Sequence, residues 1–205
     1  MNELRHGDDW ALGALYELFA SATHDASAAM CRWTNGLIAV TLDEVREVAL
    51  DEVGAELHIG DELLTMVVLT IGGEVGGNLI LLFDDVNGRQ LAASLLGREP
   101  GTEPEWSELE KSALTETGNI LGCAYVNALT RLIGTDLMPS APYFLQDYGA
   151  SVVQQAVMTQ ALSSDRLVLC QIGFRRQEQE LDWRVVFVPT QGMQEAMQRS
   201  LHAAL

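Results

Sequence analysis

The apolar residues of this chain change their spacing twice, in the same order each time, and that repeated order restricts the possible fold more than any other feature. From about Trp10 to Trp33, Leu12, Leu15, Tyr16, Phe19 and Ala22 or Thr23 recur at steps of three and four, which predicts an amphipathic helix. A shorter helix is expected over Leu42–Leu50. The segments Glu56–Ile59, Leu63–Ile71 and Asn78–Phe83 are rich in Val, Ile and Leu and are punctuated by Gly60-Asp61 and Gly72-Gly73, so they read as strands joined by tight turns. Asp84 and Asp85 then precede Leu91, Ala92, Leu95 and Leu96, a helix that Gly97 should stop.

The polar connector Arg98–Glu105, with Pro100, Gly101 and Pro104, separates this half from a second one. Ser107 and Glu110 have capping-box spacing at the head of a long helix that runs to about Leu132 and stops near Gly134. Strands are expected at Ala150–Leu162, Arg166–Phe174 and Leu181–Val188, and a last helix at Gly192–Ala204. Helix, three strands and helix thus occur in residues 1–97 and again in residues 105–205 of one domain spanning 1–205. Ile80-Leu81-Leu82-Phe83 and Val185-Val186-Phe187 hold the same place in the two halves. The predicted fold is α/β: a duplicated helix-and-three-strand unit forming one sheet, with two long helices on one face and no strict βαβ alternation.

With 48% apolar residues the chain can build a real core. Its formal net charge of -17 repels phosphate backbones and anionic lipid, which argues against nucleic acid and membrane surfaces as partners. Leu63–Ile71, the most apolar stretch, is far shorter than the roughly 20 residues of a spanning helix. Residues 1–9 carry no apolar run behind basic residues, so a cytoplasmic protein is expected. Cys31, Cys123 and Cys170 form no CxxC pair and read as reduced, mostly buried thiols, while His6, His24, His58 and His202 show no ligand spacing.

On the long helix, Ser112, Glu116 and Asn119 stand at i, i+4 and i+7 and share one stripe. Leu109, Ala113, Ile120, Leu121, Ala124, Ala128 and Leu132 form the neighbouring apolar arc, and Asn127, inside that arc, reads as a satisfied buried amide. Such a stripe can be a solvated helix face and nothing more. Against that stands Gly118-Asn119, a mid-helix pair that costs about 1–1.5 kcal/mol relative to alanine. Either the pair serves a site or Gly118 permits close packing.

The run Glu116-Thr117-Gly118-Asn119-Ile120-Leu121, followed by Tyr125-Val126-Asn127-Ala128-Leu129, resembles the signature helix of the CheC, CheX and FliY chemotaxis phosphatases. That family's pattern is Asp or Ser, three residues, Glu, two residues, Asn, then Pro about 22 residues later. Ser112, Glu116, Asn119 and Pro142 meet it. The corresponding first-half positions are Gly13, Glu17, Ala20 and Asp43, so only the Glu is kept there. In motif count the chain is similar to CheX, and in its duplicated layout it is most like CheC.

The resemblance implies hydrolysis of the aspartyl phosphate of a CheY-like response regulator, with Asn119 and Glu116 as the catalytic pair. Asn119 would orient the attacking water and Glu116 would pair with a lysine of the regulator. Ser112 and Pro142 would support the helix and its neighbouring loop. The chain would carry no cofactor of its own, since the regulator supplies magnesium. The alternative it leaves is a catalytically weak adaptor that binds a regulator or a CheD-like receptor deamidase. A small-molecule enzyme finds no support, because no nucleotide loop or metal cluster is present in the sequence.

Overall fold

The computed structural model describes residues 5–49, 52–56, 63–101, 103–148, 151, 166–176 and 179–203. Their elements run α1 (Arg5–Trp33), β1 (Ala39–Ala49), the single turn α2 (Val53–Glu56), β2 (Leu63–Ile71), β3 (Gly77–Phe83) and α3 (Asp85–Leu96). Then follow α4 (Glu108–Ile133), β4 (Tyr143–Tyr148), β5 (Arg166–Arg176), β6 (Gln179–Pro189) and α5 (Gln191–Ala203). The six strands form one sheet in the order β1-β5-β6-β3-β2-β4, and every neighbouring pair is antiparallel.

That order is symmetric about the β6–β3 junction, with the first strand of each half placed beside the other half's second strand. One core therefore spans both halves. Leu15, Phe19, Ala22, Ala26 and Met30 of α1 and Leu114, Leu121 and Tyr125 of α4 join Leu91, Met193 and Met197 of α3 and α5 against one sheet face. Phe83 stacks on Trp183 across the junction at 4.0 Å between ring centroids. The hydroxyls of Thr23 and Tyr125 share a 2.8 Å hydrogen bond between α1 and α4. Among the described residues no helix is long and apolar enough to cross a membrane.

Two expectations change, and a third lies almost wholly outside the described residues. Leu42–Leu50 is not a helix: its described residues belong to β1, which pairs with β5 along its length. A register shift between Leu42 and Glu44 returns Val45 to the core face that Val40 and Leu42 occupy, while Val48 faces the opposite side. The bulge leaves Leu42, Val45 and Val48 three residues apart, a spacing that imitates a helix. Glu56 ends the helical turn α2 instead of beginning a strand, and residues 57–59 lie outside the described residues. The Ala150–Leu162 expectation lies, apart from Ser151 in a helical position, outside them too, and the strand that follows α4 is β4, an edge strand with little burial contrast.

The remaining helix ends form as their sequences dictate. Asp84 caps α3 by accepting from the Asn87 backbone N–H, and Gly97 closes it at φ 63°. Ser107 and Glu110 form a reciprocal capping box at the head of α4, and Gly134 ends it at φ 67°. The connector is held against this end. Arg89 stacks on Trp106 at 4.5 Å and donates to Asp85 (2.7 Å) and the Pro104 carbonyl (3.2 Å), while Arg98 pairs with Glu110 at 3.0 Å.

Burial opposes the charge of Glu110, but hydrogen bonds from the Ser107 side chain and backbone, together with the Arg98 guanidinium, outweigh it and hold the carboxyl below its ordinary value of 4.5. A depressed carboxyl stabilises the fold above the unfolded-state value, and that contribution is lost as pH falls through the folded-state value. Glu110→Gln should therefore melt below wild type at neutral pH, with the gap closing as pH falls below about 4.5. A gap that stays constant through an acid titration of melting temperature would contradict this.

Candidate functional site

The position of the stripe on α4 is set from the opposite side of the helix. Gly118 and Gly122, one turn apart and both buried, face β2. A Cβ on Gly118 would collide with Cγ1 of Val67, and one on Gly122 with Cδ2 of Leu69. The missing side chains let the helix axis come close to the sheet. Buried Thr117 satisfies its hydroxyl by donating to the Ala113 carbonyl at 3.0 Å. Gly118 thus has a packing reason for being in mid-helix.

With that face seated, Ser112 and Glu116 are exposed and Asn119 is half-buried at the boundary between the sheet-facing side and solvent. Asn119 accepts at Oδ1 from the Cys123 thiol, with 3.6 Å between the heavy atoms. Cys123 lies one further turn along and is also half-buried. Burial, and then the charge of Glu116, push its thiol above the ordinary value, so it stays protonated at neutral pH. Glu116, Asn119 and Cys123 therefore make one short electrostatic row: an anion, a carboxamide and a neutral S–H.

Pro142 is half-buried just before β4. The loop that carries it is fastened to the end of β2, where the Ser140 N–H donates to the Thr70 carbonyl (2.7 Å) and the Thr70 N–H to Ser140 Oγ (3.0 Å). Val67, on which Gly118 sits, is paired with Phe144, two residues beyond Pro142. The helix and the proline loop thus share β2 as a common base.

Two sequence expectations on α4 change here. Asn127 is exposed, not a buried amide, and Leu109 is 57% exposed, leaving the apolar arc to flank the stripe one turn before Ser112. Sequence reasoning also grouped Cys123 with the buried thiols. The signal that could have found it is its place four residues after Asn119 on the same stripe. In the first half, Gly13 and Glu17 are exposed on α1 and Ala20 is half-buried, so an anion is displayed there without a carboxamide beside it. Asp43 is exposed at the β1 bulge.

No protein-family model matches the chain. The CheY-P phosphatase CheC of Bacillus subtilis is 24% identical over 188 residues, 90% of each chain. CheC1 of Halobacterium salinarum is 21% identical over 146 residues, 71% of this chain and 74% of its own. Among solved structures, Thermotoga maritima FliY aligns over 93% of this chain and 96% of its own, with a TM-score of 0.72 at 16% identity. Helicobacter pylori FliM, solved with SpeE, aligns over 94% and 95%, with 0.69 at 11%. CheX of Borrelia burgdorferi, solved with CheY, BeF3 and magnesium, aligns over 82% and 95%, with 0.51 at 19%. The structural likenesses establish the fold, and the two sequence relatives extend the similarity to CheC proteins. The chain is thus similar in sequence to CheC proteins over most of its length and shares the fold of FliY and CheX.

Proposed function

We propose that this chain hydrolyses the aspartyl phosphate of a CheY-like response regulator, with Asn119 and Glu116 as the residues it contributes. The observation that carries this reading is the display of a carboxamide beside an exposed carboxylate on a helix whose other side is locked to the sheet. The fold alone does not decide the matter, because FliM has it as well.

An acyl phosphate needs little from a second protein beyond a well-placed water. The water oxygen attacks phosphorus as the bond to the aspartyl oxygen breaks, giving inorganic phosphate and a free carboxylate. An amide is a poor base, but it can donate to one group and accept from another at the same time. Asn119 orients the water. Glu116 docks against a cation of the regulator, and the exposed Leu109 lies on the approach to the stripe. The regulator brings the magnesium that offsets charge on the phosphoryl oxygens. Ser112 and Pro142 support the helix and the loop beside it. Such a partner places the activity in the cytoplasm.

The test is the decay of a CheY-like regulator phosphorylated with acetyl phosphate and magnesium, followed with and without the purified chain. Faster decay is expected, with turnover at substoichiometric protein. Binding without acceleration would overturn catalysis and favour an adaptor. One observation gives that second reading substance: Ala20 stands where the first half would need an amide, leaving the Glu17 face of α1 with a contact residue and nothing to direct water. In that case the partner is the regulator or a CheD-like deamidase.

A further inference from the structure

A carboxamide on a helix surface has two soft torsions, and the outer one is broad, so a free Asn presents its oxygen or its NH2 outward with little preference. A group that must direct one water molecule loses rate when it samples both. Around Asn119 the backbone is already fixed, because Gly118 and Gly122 hold this turn of α4 against Val67 and Leu69. What remains free is the amide itself. The Cys123 thiol is the group that addresses it, donating to Oδ1 at 3.6 Å from the next turn of the same stripe.

We propose that Cys123 is a positioning residue for Asn119: its S–H holds the amide oxygen toward the C-terminal side of the stripe, so the NH2 and the second oxygen lone pair are presented together to the phosphoryl group and its water. This rests on the reading of Asn119 as the group that directs the water. A carbonyl oxygen has two lone pairs, so the thiol can occupy one without removing the amide from the reaction. The thiol suits the task because it donates weakly and holds its proton beside Glu116 at neutral pH. A lysine there would compete with the regulator for Glu116.

The experiment compares Cys123→Ala and Asn119→Ala with wild type. It measures kcat and KM on the phosphorylated CheY-like regulator, thermal melting, and the side-chain amide resonances of 15N-labelled protein without regulator. Cys123→Ala should lower kcat roughly threefold to tenfold, the worth of one hydrogen bond, with KM and melting almost unchanged. Its Asn119 NH2 signals, identified by their loss in Asn119→Ala, should move toward those of exposed Asn127. Both effects are required. An unchanged kcat, unmoved amide signals, or a rate loss that comes with a matching loss of melting temperature each overturns the assignment of Cys123. If Asn119→Ala still loses activity in those cases, the phosphatase reading stands without the thiol. An Asn119→Ala protein as fast as wild type removes both.

Discussion

Asn119→Ala should return the decay of the phosphorylated regulator nearly to its spontaneous rate, a loss of about a hundredfold or more, while the protein folds and binds as before. The side chain is half-buried, and its contact along α4 is the thiol of Cys123, so truncation opens no core cavity. Alanine also favours a helix over asparagine by about 0.5 kcal/mol, so melting should hold or rise slightly. The loss therefore belongs to the transition state and appears in kcat. Asn119→Asp tests the same point from another direction, since a carboxylate of similar shape keeps an acceptor, loses both donors and adds charge next to a phosphoryl group. It should be no faster than the alanine variant. Single-turnover decay at saturating protein separates this from weakened docking. A wild-type rate in either variant would remove Asn119 from the mechanism.

Much of the helix that carries this residue was legible because its signals are local. Ser107 and Glu110 mark its start and Gly134 its end, each by a signal confined to a few residues, and Ser112, Glu116 and Asn119 fall on one stripe by periodicity alone. The strands next to the centre of the sheet, β2, β3, β5 and β6, were legible for the same reason, since each is a dense apolar run. The edges were not. In β1 a bulge broke the two-residue alternation and left apolar residues at helical spacing, and β4 lies at a sheet edge, where neither face demands a clear pattern. The order β1-β5-β6-β3-β2-β4 follows from pairings between residues far apart in the chain, which no window of sequence reports. On α4, Leu109 and Asn127 were both expected on the buried side and both are exposed, because the close approach at Gly118 and Gly122 sets which side of the helix faces the sheet. The apolar arc was drawn without that constraint.

That close approach gives the second large effect. On an exposed helix, Gly118→Ala would add about 1 kcal/mol of stability through lost backbone entropy. Here the new methyl group would enter the space of Val67 Cγ1. Val67 is fully buried, stiff at χ1, and tied on both sides by the pairing of β2 with Leu81 and Phe144, so it cannot turn away. Overpacking of this kind costs about 1–3 kcal/mol, enough to cancel the helix gain, and a larger side chain such as valine should cost more. Gly118→Ala is thus expected to lower the denaturation midpoint, and the folded fraction should still turn over slowly, because a helix pushed off β2 carries Asn119 out of register with the water it is proposed to direct. Gly122→Ala should be milder, since Leu69 meets it with the ends of a longer, more adaptable side chain. Adding Val67→Ala to Gly118→Ala separates steric push from any other cause. The single Val67 change leaves a cavity, but in the double variant the new methyl fills part of it, so the two costs should fall short of their sum by about 1 kcal/mol or more. Additive costs, or a Gly118→Ala protein more stable than wild type, would mean that the helix does not depend on its seat against Val67, and the fixed placement of the carboxamide would lose its physical basis.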